Sequence, residues 1–183
     1  MLAKSFSPPH IRTATPADAE RLAVLAERTF RDTFADYNSA DDMEAYVRDA
    51  FAPGRVRAEL ADRANTFLLA FVDGADPPCG YAKLRTGTTD PAVTGPDAVE
   101  LQRLYADRSA IGHGVGAALM QACFAAARAA GRQTLWLGVW ERNARAIAFY
   151  ERWGFATVGQ HVFRLGSDDQ TDLIMARPVA GTT

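Results

Sequence analysis

Gly112, Gly114 and Gly116 alternate through the run GHGVGA, directly ahead of the helix-forming stretch VGAALMQACFAAARAAG. The first N–H groups of a helix have no partner inside it, and they sit at the positive end of the helix dipole. An anion settles on such an end, and residues without Cβ atoms let the chain turn tightly while phosphate oxygens approach the backbone. The chemistry on offer is a backbone grip on a phosphate group. A second constellation follows in NARAIAFYERWGF. On a helix, Asn143, Ala146 and Tyr150 share one face, so a ligand lying along it meets an amide at one end and a phenol at the other. The same residues also serve structure: Asn143 suits an N-cap, Ile147 and Phe149 a core, and Trp153-Gly154-Phe155 a C-cap. Glu100, at the start of the strand ahead of the glycines, is a candidate carboxylate to move a proton. Gln102, two residues on along the strand, is expected on the same face and could orient a water.

These residues need a scaffold. Ile11–Ala14 reads as a strand, and Thr15-Pro16-Ala17-Asp18 as a helix start with Ala19, Leu22, Ala26 and Phe30 on its buried face. Asp41–Phe51 and Arg55–Arg63 are helical patterns, the latter placed after Pro53-Gly54. Phe67–Val72 and Gly80–Arg85 read as strands joined by the turn DGADPP, and Thr86–Asp97 as a loop. A strand from Glu100 leads to the Val115 helix, which stops at Gly131. The strand Thr134–Trp140, the Asn143 helix and two last strands, near Phe155–Leu165 and Thr171–Arg177, complete the order. This α/β (α+β) pattern predicts a mixed, mostly antiparallel central sheet flanked by helices, with parallel pairing local to the β–α–β–α run from Glu100 to Tyr150.

The chain has 183 residues, 48% hydrophobic and 23% charged, which suits one globular domain with a full core. A net charge of −2 leaves no basic footprint for nucleic acid. Cys79 and Cys123 form no C-x-x-C pair and read as reduced thiols, and His10, His113 and His161 show no metal-ligand spacing, so no metal is expected. No segment reads as a membrane span or a leader, so a cytoplasmic protein without membrane partners is expected. The glycines also fit a loose dinucleotide fingerprint. Against that, ADRSAI separates strand from loop, the loop sits in mid-chain, and Glu141 comes late for a ribose ligand.

The two motifs in this order resemble the GCN5-related N-acetyltransferase (GNAT) family, which carries a Q/R-x-x-G-x-G/A loop and a later N-x-x-A-x-x-x-Y-x-x-x-G-F motif. Asn143, Ala146, Tyr150, Gly154 and Phe155 complete the second motif. Gly114 and Gly116 match the first, while its opening position is Ile111, a departure that removes a side chain and leaves the backbone amides. The resemblance covers nearly the whole chain and implies the GNAT fold, with acetyl-CoA as cosubstrate. It implies that backbone groups of Leu104, Tyr105 and Ala106 pair with the pantetheine arm. The amides of Gly112, His113, Gly114, Val115, Gly116 and Ala117 would hold the pyrophosphate, Asn143 and Ala146 would border the arm, and Tyr150 would face the sulfur as the acid. Glu100 stands where several members carry a catalytic glutamate, and a homodimer is common among them.

Members that acetylate ribosomal-protein N-termini carry a base where this chain has Gly138, which argues against that substrate class. The tail GQHVFRLGSDDQTDLIM, with the LGVWERNARAIAFYERWGF run, is similar to the bacterial spermidine/spermine acetyltransferase group. Asp168, Asp169 and Asp172, and a second cluster of Asp32, Asp36, Asp41, Asp42 and Glu44, could attract a polycation; both read more readily as solvated turns and helix faces. The expected reaction is acetyl transfer to a primary amine, a small polyamine first. The alternatives are another acceptor (an amino acid, an aminoglycoside or a protein amine) and an acyl-CoA-binding module without turnover.

Overall fold

The computed structural model describes residues 8–72, 76–165 and 168–180. Its strands are β1 (His10–Thr13), β2 (Asn65–Phe71), β3 (Gly80–Arg85), β4 (Ala98–Ala106), β5 (Thr134–Trp140), β6 (Ala156–Leu165) and β7 (Asp168–Pro178). The helices are α1 (Ala19–Phe34), α2 (Ala40–Ala50), α3 (Pro53–Ala61), α4 (Val115–Ala129) and α5 (Ala144–Arg152). All seven strands form one sheet in the order β1-β2-β3-β4-β5-β7-β6. Every pairing is antiparallel except β4 with β5.

Two cores sandwich the sheet. On one face Leu68, Ala82, Leu84, Val99, Leu101, Leu135 and Leu137 pack against Val115, Leu119, Met120 and Cys123 of α4 and against Tyr150 and Phe155. On the other, Phe67, Leu69 and Tyr81 pack against α1, α2 and α3 through Leu22, Leu25, Ala26, Phe30, Met43, Val47 and Val56. The period-two alternation of each strand sends neighbouring residues to opposite cores. Among the described residues no helix is long and apolar enough to cross a membrane.

Local chemistry sets the element ends. The Asp18 carboxylate accepts the Thr15 N–H at 2.9 Å and also receives the Arg12 guanidinium, which holds its pKa far below the ordinary carboxylate range. Ser39 Oγ accepts the Asp42 N–H and starts α2 one residue before the expected Asp41. Pro53 occupies the first turn of α3, where its missing N–H costs nothing, so this helix opens on the proline rather than after it. Gly131, with φ +68°, closes α4. β7 begins at Asp168, ahead of the expected Thr171, because its pairing with β6 (Leu165 opposite Asp168) carries residues of low strand propensity into the ladder.

Candidate functional site

The sheet splits at its centre. β4 and β5 pair in parallel only from Ala98–Thr134 to Glu100–Trp136. Beyond that point β4 stays with β3 as far as Ala106, while β5 stays with β7 as far as Trp140. Gln102 is an extra residue on β4, since Leu84 faces Leu101 and Lys83 faces Arg103. Such a bulge bends the strand and sharpens its twist, which drives β4 away from β5. It also breaks the alternation that was expected to set Gln102 on the face of Glu100.

The gap opens into a cleft of about 740 Å³. Leu104, Tyr105 and Ala106 form one wall, with the β4 edge that β5 has abandoned. Gly112, Gly114, Gly116 and Ala117 form the end, and Asn143, Ala146, Phe149 and Tyr150 the opposite wall. The sequence candidates His113, Val115 and Glu100 are not among the lining residues. Val115 is buried and its side chain points into the core, within 2.8 Å of a Cβ built on Gly80, so only its backbone can serve a ligand.

At the phosphate end, Gly112 and Gly114 have φ of +88° and +78°, a left-handed backbone that favours glycine. Gly114 caps α4 with no side-chain hydrogen bond, and the first backbone bond into the helix runs from the Ala118 N–H to the Gly114 carbonyl. The amides of Val115, Gly116 and Ala117 are therefore the unpaired donors of this helix end. A Cβ on Gly116 would stand 3.5 Å from the Phe149 ring, an ordinary contact. Arg142, Arg145 and Arg152 also line the cleft, and no carboxylate pairs with them among the described contacts. These cations were not among the residues singled out in the sequence.

Asn143 caps α5, its Oδ1 accepting the Ala146 N–H at 3.1 Å, and lines the cleft as well. Its structural and ligand-facing readings hold together. Tyr150 is buried between the edges of Phe149 and Phe155, at ring-centroid distances of 5.4 and 5.7 Å. Burial, with the neighbouring Cys123 thiol, pushes its phenol well above the usual tyrosine range. The phenol therefore keeps its proton at every physiological pH and is a standing hydrogen-bond donor. Cys123 itself is pushed up to about 12 by burial, which makes it an inert core thiol.

The α1–α3 side of the gap has a different lining. Val99 and Leu101 face the α4 core, which places Glu100 on the opposite face, with Trp136 its partner on β5. Trp140 packs against Phe34 and Tyr37, and Thr29, Asp32, Thr33 and Tyr37 border the cleft there. The expected acidic cluster is partly engaged. Asp32 lies 3.7 Å from Arg108, Asp42 accepts the Ser39 hydroxyl and Glu44 pairs with Arg31 at 2.7 Å. In the tail, Asp172 stands beside His161, with 3.8 Å between Oδ2 and Nε2. The Asp168 side chain lies outside the described residues. Among the described residues no group of His, Cys, Asp and Glu has the geometry of a metal site.

Comparison with known proteins matches residues 23–155 to the family described as the Acetyltransferase (GNAT) family. An uncharacterized N-acetyltransferase of Lactobacillus delbrueckii subsp. lactis is 31% identical over 160 residues, 87% of this chain and 91% of that one. Another, from Mycobacterium bovis, is 34% identical over 161 residues, 87% of this chain and 97% of that one. Among solved structures, the PaiA N-acetyltransferase of Thermoplasma acidophilum in complex with coenzyme A superposes with a TM-score of 0.77 at 22% identity, covering 94% of this chain and 99% of that one. YncA of Salmonella typhimurium, a putative acetyltransferase with acetyl-CoA, gives 0.67 at 19% identity, with 97% of both chains covered.

Proposed function

The chain belongs to the GNAT acetyltransferase family, and on that premise we propose that it transfers an acetyl group from acetyl-CoA to a primary amine, a small polyamine being the first acceptor to try. The observation that carries the proposal is the split between β4 and β5, lined along its length by Leu104–Ala106, the glycine loop and the Asn143–Tyr150 face. The donor set fits the cosubstrate. Amides at the start of α4, with Arg142, Arg145 and Arg152 lining the same cleft, suit phosphates. The free edge of β4 suits an arm that carries amides of its own, since each abandoned N–H and C=O needs a partner.

Acetyl-CoA would supply a thioester; the chain's residues handle position and protons. Tyr150 donates a hydrogen bond to the sulfur as charge develops on it. Full proton transfer is a poor description, because an unperturbed phenol already titrates about 1.5 units above a thiol, roughly 2 kcal/mol uphill, and burial raises the phenol further. A hydrogen bond that strengthens in the transition state needs no such transfer. The acceptor enters from the α1–α3 side, past Thr33, Tyr37 and Trp140. Glu100 stands on that face at the vertex of the split, and because it does not line the cleft it reaches the amine only through water.

Support for a polyamine over another amine rests on the tail motif and on Asp172, since most of the other acidic candidates with described contacts are paired. The test is coenzyme A release, followed by thiol detection, against amines that include spermidine, spermine, amino acids, aminoglycosides and a lysine peptide. Release stimulated by polyamines supports the full reading. Release with another amine keeps the transferase and discards the polyamine. Silence with every amine, while acetyl-CoA still binds, refutes turnover and leaves an acyl-CoA-binding module.

A further inference from the structure

Asp172 on β7, His161 on β6 and Asp90 in the 86–97 loop form a chain that ends beside Gly138. His161 Nδ1 is 3.3 Å from Asp90 Oδ2, and Nε2 is 3.8 Å from Asp172 Oδ2. A Cβ built on Gly138 would stand 3.4 Å from Asp172 Oδ2 and 3.7 Å from His161 Nε2. Cross-strand register puts Asp172, His161 and Trp140 on one face, since Asp172 pairs with Trp140 of β5 and with His161 of β6. Trp140 lines the cleft.

Gly138 stands at the critical place. β4 and β5 part after the Glu100–Trp136 pair, and Gly138 is the first residue of β5 beyond the parting that faces the α1–α3 side. Its missing side chain leaves that position exposed. The window looks onto the Asp172 carboxylate, itself only 16% exposed.

We propose that Asp172, which like Glu100 does not itself line the cleft, takes the proton of the acceptor amine through a water at the Gly138 window, with His161 relaying it to solvent and Asp90 positioning the imidazole. The assignment rests on the acetyl-transfer reading above. An ammonium acceptor carries three protons and the product amide carries one. The nitrogen lone pair forms the C–N bond at the acetyl carbon, and the C–S electron pair leaves with the sulfur. One of the two lost protons ends on the sulfur, and the other must leave the site. Asp172 receives it, a water bridging the 3.8 Å gap carries it to His161 Nε2, Asp90 holds the ring at Nδ1, and the 40% exposed ring passes it to water. Burial raises the Asp172 carboxyl, which brings it closer to the range of a working base. The groups that face Asp172 are few. His161 comes from β6; Trp136, Gly138 and Trp140 of β5 do not titrate; Asp90 stands behind the imidazole; and Tyr37 reaches over Trp140.

The experiment uses the full chain as wild type, Asp172→Asn, Asp172→Glu and Asp90→Asn. Coenzyme A release with the amine that wild type acetylates is followed from pH 6 to 10, and acetyl-CoA binding is measured by calorimetry. Asp172→Asn should lower kcat/KM for the amine about 30-fold or more at pH 7 with an acetyl-CoA Kd within about twofold. The loss should shrink toward pH 10, where the amine deprotonates unaided. Asp172→Glu should recover part of the rate, and Asp90→Asn should displace the lower limb of the pH profile. A loss below threefold in Asp172→Asn, with an unchanged profile, overturns the assignment while acetyl transfer stands. A wild type that binds acetyl-CoA and acetylates no amine overturns the transfer reading, and this assignment with it.

Discussion

The ammonium of Lys83 lies 3.0 Å from Glu59 Oε2 in the layer between the sheet and α3, with the lysine side chain 2% exposed. Arg103 approaches the same oxygen at 3.2 Å and rests over the Phe51 ring. Burial lowers the lysine pKa against the attraction of Glu59. Removing the carboxylate strands two cations, so Glu59→Ala should cost about 3–5 kcal/mol. Lys83→Met leaves Glu59 with Arg103 and should cost clearly less. Urea unfolding of both variants checks the order.

Tyr150→Phe removes one hydroxyl from a packed aromatic cluster and leaves the ring contacts in place. Turnover should fall about 10- to 100-fold, the scale of losing one transition-state donor. Acetyl-CoA affinity should stay within about twofold. Steady-state kinetics with calorimetry measure both, and an unchanged kcat removes the phenol from the chemistry.

Gly114→Ala sets a side chain on a left-handed cap with φ +78°. The strain should cost roughly 1–2 kcal/mol. No atom crowds the position within 4 Å, so the penalty is conformational rather than steric. Relief of that strain would rotate the amides at the start of α4, and acetyl-CoA Kd should rise about tenfold, or 1.4 kcal/mol. Thermal melts and calorimetry separate the two effects.

Besides Asp32, which lies beside Arg108, the acceptor side holds the carboxylates Glu100 and Asp172, and their amides distinguish them. Neither lines the cleft and both reach the amine through water, but Asp172 borders the exposed Gly138 window. At pH 6.5, Asp172→Asn should lose at least about tenfold more rate than Glu100→Gln. The reverse order would return the proton to Glu100.

Asp172 should also leave a mark on stability. Its folded pKa is raised above the ordinary 3.8, chiefly by burial, with His161 acting in the opposite sense. A raised folded pKa means stability that is full below the unfolded value and lost as pH rises through the folded one. Asp172→Asn should therefore raise Tm at pH 7, and the advantage should vanish below about pH 4. A gain in stability with a loss of rate marks a residue kept for function.

Much of this architecture was readable from local pattern. Alternation and helical spacing located each strand and helix, because each carries one face into one of two cores. The glycine loop and the Asn143–Tyr150 face were readable because both depend on spacing within single elements. What escaped is cross-strand. The Asp172–His161–Asp90 chain depends on the β5–β7–β6 register, which no window of the sequence contains. The bulge at Gln102 was equally hidden, since an extra residue shows only against its partner strand. The pairing within the acidic cluster was hidden for a related reason: charges that look free in sequence find arginines at long range, as Asp32 finds Arg108.

The parting of β4 from β5 leaves the two halves of the sheet joined at the centre by only a short parallel ladder. A ligand with peptide-like groups along its arm acts there as a mortar between masonry blocks. Its affinity then appears as rigidity of the whole domain. At a hundredfold excess over Kd such a ligand adds about 2.7 kcal/mol to unfolding. The amide hydrogens of Leu104–Ala106 should slow in exchange more than those at the outer edge β1. In the cell the amount of this protein would thus follow the supply of its own acyl donor, because the starved form is the one that proteases open first.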